Sequence, residues 1–402
     1  MMKQINCAIK IGGIIFLSLL FQHCRKDYAF LRGQLVWSYF IDPEGGVGTA
    51  RPIIDQDRVY LLHDSTLWCF RLDNGSLIWK QAIEHPVGGV SSDAFPHDSE
   101  YLYVNDVSWV RAYRKSDGAL VWNTELLPYF GGFETDMVMD EAGYLYVGRI
   151  SEAIRLDSRT GEIVNRYTTD TLKLATEQDW YDQVRADGEF VYTCASGDIN
   201  AIEGMDWPGK VLCFDAATGV LRWAFTPPLR TITNEYGDTR TLPDRRIFYL
   251  DLEGDKIACM TKYEVFLLEA ATGEIVWSRL FTDRTFFKAI DLTKDQLFIG
   301  ATGQFDPEVT ALDAQTGDIQ WSVPVQGSVS GALAAHERHV TATSNRLWIM
   351  DQKTGEVLFS RFSPQRDAGD RDAIFLYKPT MKGGYLVING SKYVNCYFWP
   401  DL

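Results

Sequence analysis

His336-Glu337-Arg338-His339 offers metal-ligating and acid–base side chains within four residues. A helical zinc-protease motif needs its histidines four apart on one face. Here they are three apart, in a segment that reads as the turn between two strands, which makes them solvated turn residues. Asp367, Asp370 and Asp372 could meet a calcium ion in a loop. Arg366 and Arg371 interleave with them and would compete, and no EF-hand spacing is present, so this stretch reads as a surface loop. Phosphate loop, dinucleotide glycine fingerprint and nucleophile elbow are all missing from the sequence. A serine triad drawn from distant residues would leave no local motif. The reading leans away from an enzyme and assigns no catalytic, cofactor-binding or metal residue.

The chain has seven cysteines. Cys7 falls in an N-terminal leader and Cys24 at its end, leaving Cys69, Cys194, Cys213, Cys259 and Cys396, an odd set that cannot all pair. No CxxC and no adjacent pair occurs, so they read as small buried strand residues. A Cys194–Cys213 bridge is the one pairing worth testing. In the leader, Lys3 and Lys10 precede an apolar run from Ile11 to Phe21, about half the roughly 20 residues a spanning helix needs. Residues 1–23 therefore read as a signal peptide. Cys24 stands where bacterial lipoproteins are cleaved and acylated, with Phe21 and His23 departing from the usual leucine and small residue. Ordinary cleavage nearby and an uncleaved anchor are the alternatives. Residues 24–30 then form a short tether, and no second apolar run of spanning length follows.

The elements that would position any site come from a repeat. A chain of 402 residues that is 46% hydrophobic and 13% aromatic has ample material for a core, which excludes a disordered or collagen-like polymer. Its net charge of -15 disfavours nucleic acid or an anionic membrane surface as the main partner. Length alone suggests two or three domains, but periodicity replaces that expectation. An acid, two residues and Thr-Gly recur at Asp157–Gly161, Asp215–Gly219, Glu269–Gly273, Asp313–Gly317 and Asp351–Gly355, with weaker copies ending at Gly33, Gly75 and Gly118. Glycine supplies the positive φ of a tight turn, and the acid can accept hydrogen bonds from turn amides. Four residues after the glycine stand Trp37, Trp79, Trp122, Trp223, Trp277 and Trp321, with Asn165 and Phe359 in the other two copies. These six tryptophans read as indoles wedged between neighbouring repeats.

Before each glycine lie two further strands, such as Arg58–Leu62, Tyr101–Val104 and Gln296–Ile299, and a shorter one before them. Four antiparallel strands in about 45 residues make a β-propeller blade. Residues 31–40 carry only a last strand, whereas 372–402 carry the first three. The expectation is an all-β, eight-bladed propeller over residues 31–402 whose ring closes by pairing the N-terminal strand with the C-terminal strands, leaving no open edge in the ring.

The repeated acid, Thr-Gly and tryptophan resemble the repeats of the pyrroloquinoline-quinone-like propellers. That resemblance implies one of two branches. Quinoprotein dehydrogenases hold a quinone and calcium over the central channel, typically against a vicinal disulfide that this chain lacks. BamB-like lipoproteins of outer-membrane β-barrel assembly bind no quinone. Short repeat spacings leave little material for a covering lid, and the chain leans to the second branch. The implied protein is an exported, lipid-anchored, monomeric binding or scaffolding module with a protein partner in the cell envelope and no cofactor. A quinone- and calcium-dependent dehydrogenase and a carbohydrate-binding propeller are the rivals.

Three long segments, 165–183, 195–209 and 224–245, are two blade-to-blade connections and one second turn, so they should emerge on one face in one sector. They carry Trp180, Tyr181, Met205, Trp207, Pro227, Pro228, Leu229, Arg230 and Tyr236 among Asp179, Asp182, Asp198 and Asp206. Long loops on a rigid scaffold are where binding sites sit, and Trp, Tyr and Arg are favoured interface anchors. Trp180, Tyr181, Trp207, Arg230 and Tyr236 are the candidate partner-binding residues. The alternative is that these loops fold down and bury their own aromatics.

Overall fold

A four-stranded unit with apolar residues on both faces must be covered on both sides, and a closed ring of such units covers every one. The computed structural model describes residues 32–41, 50–63, 65–83, 95–105, 108–126, 136–149, 152–168, 181–195, 207–233, 239–242, 244–247, 249–282, 286–301, 307–326, 329, 333–375 and 377–400. These form eight antiparallel blades around an axis. Blade 1 consists of Ile53–Asp55, Arg58–His63, Thr66–Arg71 and Leu77–Ala82, paired in chain order from the axis outward. Blades 2 to 7 follow over residues 101–125, 137–168, 181–225, 249–280, 286–324 and 333–361. In blade 2 an isolated bridge, His97 to Leu102, stands in place of a full innermost strand. Pro96 just before it has no N–H to donate, although its carbonyl accepts from the Tyr103 amide at 2.9 Å.

Blade 8 joins the two ends. Thr380–Lys382, Tyr385–Asn389 and Tyr393–Phe398 are its first three strands, and Gln34–Phe40 lies antiparallel on the last, with Gln34 opposite Phe398 and Phe40 opposite Tyr393. One short helix, Pro364–Asp367, interrupts the β structure of the described residues.

Each Asp-x-x-Thr-Gly turn closes through the groups its sequence supplies. Asp351 Oδ1 accepts from the amides of Lys353 and Thr354 at 3.0 and 2.9 Å, and Thr354 Oγ1 accepts from the amide of Glu356 at 3.2 Å. Asp157, Asp215 and Asp313 repeat the carboxylate pattern. The turn also receives the tryptophan of the preceding blade. The Nε1–H groups of Trp37, Trp79, Trp122, Trp223, Trp277 and Trp321 donate at 2.8–3.0 Å to the carbonyls of Leu72, Lys115, Ser158, Ala270, Ala314 and Gln352. Every acceptor lies three residues before the neighbouring blade's glycine. Between blades 3 and 4, where Asn165 replaces the indole, the Tyr167 hydroxyl donates to the equivalent carbonyl, Ala216, at 2.7 Å.

The apolar core is correspondingly divided. Among the described residues it forms eight clusters, each drawn from two adjacent blades. The five described cysteines are buried in these wedges and no disulfide joins them. Cys194 lies opposite Val211 and Cys213 opposite Tyr192, so the proposed pair sits diagonally across two strands. Burial pushes the thiols of Cys69, Cys213 and Cys396 up to about 12.

Candidate functional site

Side chains alternate along a strand, so every second residue of an innermost strand faces the axis. Registers place Arg185 opposite Tyr192, Asp251 opposite Ala258, Asp291 opposite Phe298 and Thr380 opposite Val387, at matching levels of blades 4, 5, 6 and 8. Two residues earlier in the chain stand Gln183, Tyr249, Ala289 and Lys378, with Arg51 and Asp136 just before the first strands of blades 1 and 3. A cavity of about 190 Å³ is lined by Arg51, Asp136, Arg185, Tyr249, Asp251, Asp291 and Lys378 together with aliphatic neighbours.

Charge in this channel is closely paired. Arg185, whose side chain is 14% exposed, binds Asp136 through Nη1 and Asp251 through Nε at 3.2 Å. Asp136 also accepts from the Met137 amide at 3.0 Å, and Asp251 from the Leu292 amide at 2.8 Å. Lys378 Nζ donates to the Tyr249 hydroxyl at 3.3 Å, and Arg51 Nε to Thr380 Oγ1 at 3.0 Å. Burial first, and then the Asp251 carboxylate, push the Asp291 carboxyl up to about 7 against the pull of Lys378 and Arg51. The folded chain therefore binds more protons than the unfolded one between about pH 4 and the folded value, and stability falls as pH rises through that window. Asp291→Asn is expected to flatten this dependence and to stabilise the protein by up to about 4 kcal/mol above neutrality. Urea titrations of both proteins on either side of neutrality check it, and an unchanged slope would refute the assignment.

A quinone held by calcium is one expectation of the sequence resemblance, and these residues do not fit it. Calcium takes six to eight oxygens, whereas the oxygens of Asp136 and Asp251 face Arg185 and backbone amides, and Arg51 and Lys378 stand among the carboxylates. No group of three or more His, Cys, Asp and Glu side chains could hold a metal among the described residues. The histidine reading of the sequence is corrected: His339 is 4% exposed, pairs with His336 across the hairpin and meets the edge of Trp399, and burial holds both rings below the ordinary pKa. His336 lines a polar groove of about 710 Å³ between blades 6 and 7, on the opposite face from the long loops. Asp370 and Asp372 face Lys392 at 3.2 and 3.4 Å, so a lysine stands at the suspected calcium cluster.

The loop sector is knitted to the scaffold. Trp207–Pro208, from the second turn of blade 4, runs parallel to Asp244–Arg245 in the connection to blade 5. That connection also contains a hairpin, Arg230–Thr233 with Thr239–Leu242. The sequence expectation that these two segments share a sector is matched by this pairing. Arg230 grips Glu264 of blade 5 through Nε and Nη2 at 2.9 and 2.6 Å, and the Glu264 side chain is 5% exposed. Arg245 Nη1 donates to the Pro227 carbonyl at 2.5 Å. Leu229, beside the gripped arginine, is 51% exposed. Arg230 thus holds the connection down. Tyr181 begins the innermost strand of blade 4, opposite Ala195. Cys24, Trp180, Tyr236, Asp179, Asp198, Met205 and Asp206 lie outside the described residues.

The channel charges were missed by the sequence reading, although a signal existed. Asp251 stands between Leu250 and Leu252, Asp291 between Ile290 and Leu292, and Arg185 between Val184 and Ala186. A charge alternating with aliphatics on a buried strand marks the axial side.

The sequence profile of the family described as "Outer membrane protein assembly factor BamB" matches residues 63–305 and 261–392. Comparison with curated proteins finds no match. Among solved structures, the chain is similar to BamB from Moraxella catarrhalis, with 14% identity, a TM-score of 0.62, and 91% of this chain and 100% of that one covered. A computationally designed protein, Ika8, gives 13% identity and 0.63 over 91% of this chain and 100% of the other. A europium-containing methanol dehydrogenase gives 12% and 0.60 over 88% and 84%. Identities this low carry the fold and no activity.

Proposed function

Because the chain belongs to the family of the outer membrane protein assembly factor BamB, we propose that it is a cofactor-free protein-binding propeller of the cell envelope, exported by its leader and anchored through lipid on Cys24. The observation that carries the reading is the strapped loop sector of blades 4 and 5. A connection paired to a neighbouring turn, and clamped by Arg230 on a buried glutamate, presents Leu229 and its surroundings in a fixed geometry, which lowers the ordering cost of binding. Trp180, Tyr181, Trp207 and Tyr236, which the sequence assigns to the three long segments, would supply the aromatic anchors. The partner is a component of β-barrel assembly, engaged by a single propeller. No helix of the described residues is long and apolar enough to cross a membrane.

A photo-crosslinking residue at Leu229, compared with one at Lys353 on the opposite face, tests the reading in intact envelopes. Crosslinks to β-barrel assembly components from position 229 and not from 353 are expected. Equal yields from both faces, no crosslink at all, or quinone-dependent dye reduction by the protein reconstituted with pyrroloquinoline quinone and calcium would overturn it.

A further inference from the structure

The eighth blade differs from the others in how its outer edge is protected. The outermost strand of every blade presents unpaired backbone groups, and natural sheets guard such edges with charge or proline. Six of the eight outer strands carry a charged residue: Lys80, Glu125, Arg166, Arg222, Arg279 and Arg361. A seventh ends in Pro324. The remaining strand, Gln34–Phe40, carries neither, and at seven residues none of the other seven is longer. Its side chains reinforce the contrast. Leu35 and Val36 are exposed like the aliphatics at this level of other blades, but Phe40 at the far end is 53% exposed, with its ring edge-on to Tyr393.

Which backbone groups face out follows from the register. The Ile41 amide donates inward to the Lys392 carbonyl at 2.8 Å, and antiparallel pairing alternates, so Phe40 and Ser38 turn their N–H and C=O groups away from the blade. Among the described residues no strand pairs with that side.

We propose that the outer edge of Gln34–Phe40 is a docking edge that an extended segment of a partner protein, apolar in its middle and basic at its flanks, joins as a fifth strand of blade 8. The occupant follows from charge. A net charge of -15 on each copy repels a second copy of the chain approaching edge to edge, and favours a basic segment whose middle meets the uncharged strand. Backbone hydrogen bonds would give affinity, and Leu35, Val36 and Phe40 would give preference for apolar residues. The inference rests on the protein-binding reading but uses a different surface from the loops of blades 4 and 5.

A fluorescein-labelled nonapeptide of alternating threonine and valine with lysine at both ends serves as the probe, with the full chain as receptor. Saturable anisotropy is expected, weakened at least about tenfold in Ser38→Pro, which removes an outward donor, and in Phe40→Lys, which restores a guard. The same peptide with glutamate ends should bind at least about tenfold more weakly. Equal binding by wild type and both variants, no preference between the two peptides, or a dimer in sedimentation that both variants abolish would overturn the proposal. Thermal melting of each variant reports whether the fold persists. Crosslinking from Leu229 is independent of this edge, so failure here leaves that result standing, and the converse.

Discussion

Gly273→Ala is expected to cost about 2–5 kcal/mol, against about 1–2 kcal/mol for Gly219→Ala, although the two glycines hold the same place in the repeat. Both have φ close to +70°, 71° and 72°, where an L side chain is strained. The difference lies across the blade interface. A Cβ on Gly273 would stand 2.5 Å from Cε3 of Trp223, in the ring whose Nε1–H holds the Ala270 carbonyl. On Gly219 the nearest atom would be Asn165 Nδ2 at 3.3 Å, the end of a side chain that can move. Backbone strain is common to both substitutions, whereas overpacking falls on Gly273 alone. Urea midpoints of the two variants measure the gap. Equal losses would mean that the indole shifts without cost and that the turn, not the interface, selects glycine.

This bears on how far the sequence could be read. The turn acid, the threonine, the glycine and the tryptophan repeat at one position in successive copies, so periodicity exposed the blades, their number and the split eighth blade. What the repeat conceals is that the glycine and the tryptophan of one blade serve different interfaces, since each indole rests on the next blade's turn. The Asn165 copy looked like a gap in the pattern. Tyr167, two residues on and on the same side of the strand, supplies the missing donor, and only three-dimensional register identifies it. The channel charges have no fixed place in the repeat, because each blade contributes a different residue to the axis, and so they were not legible as a group. The loop sector was legible as a location from its stretched spacings. Arg230, chosen there as an anchor for a partner, instead grips Glu264, because a buried carboxylate one blade away gives the guanidinium a bidentate acceptor that linear sequence does not announce.

Arg185→Met is expected to destabilise the propeller by about 3–5 kcal/mol, the range for removing one partner from a buried charge cluster. Arg185 belongs to blade 4 and binds Asp136 of blade 3 and Asp251 of blade 5, so one guanidinium joins three consecutive blades at the axis. The Asp136 side chain is 4% exposed, and methionine would take the guanidinium away from its buried carboxylate, which also accepts from the Met137 amide. Converting all three, as Arg185→Met with Asp136→Leu and Asp251→Leu, should cost less than Arg185→Met alone, because no charge is then stranded in the channel. That ordering separates a charge cluster from simple loss of packing, which would grow with every substitution. Urea titration of the single and triple variants at neutral pH decides it. A loss below about 1 kcal/mol in Arg185→Met would place the trio among solvent-screened pairs, and would mean that water entering the axial cavity solvates the carboxylates once the guanidinium is gone.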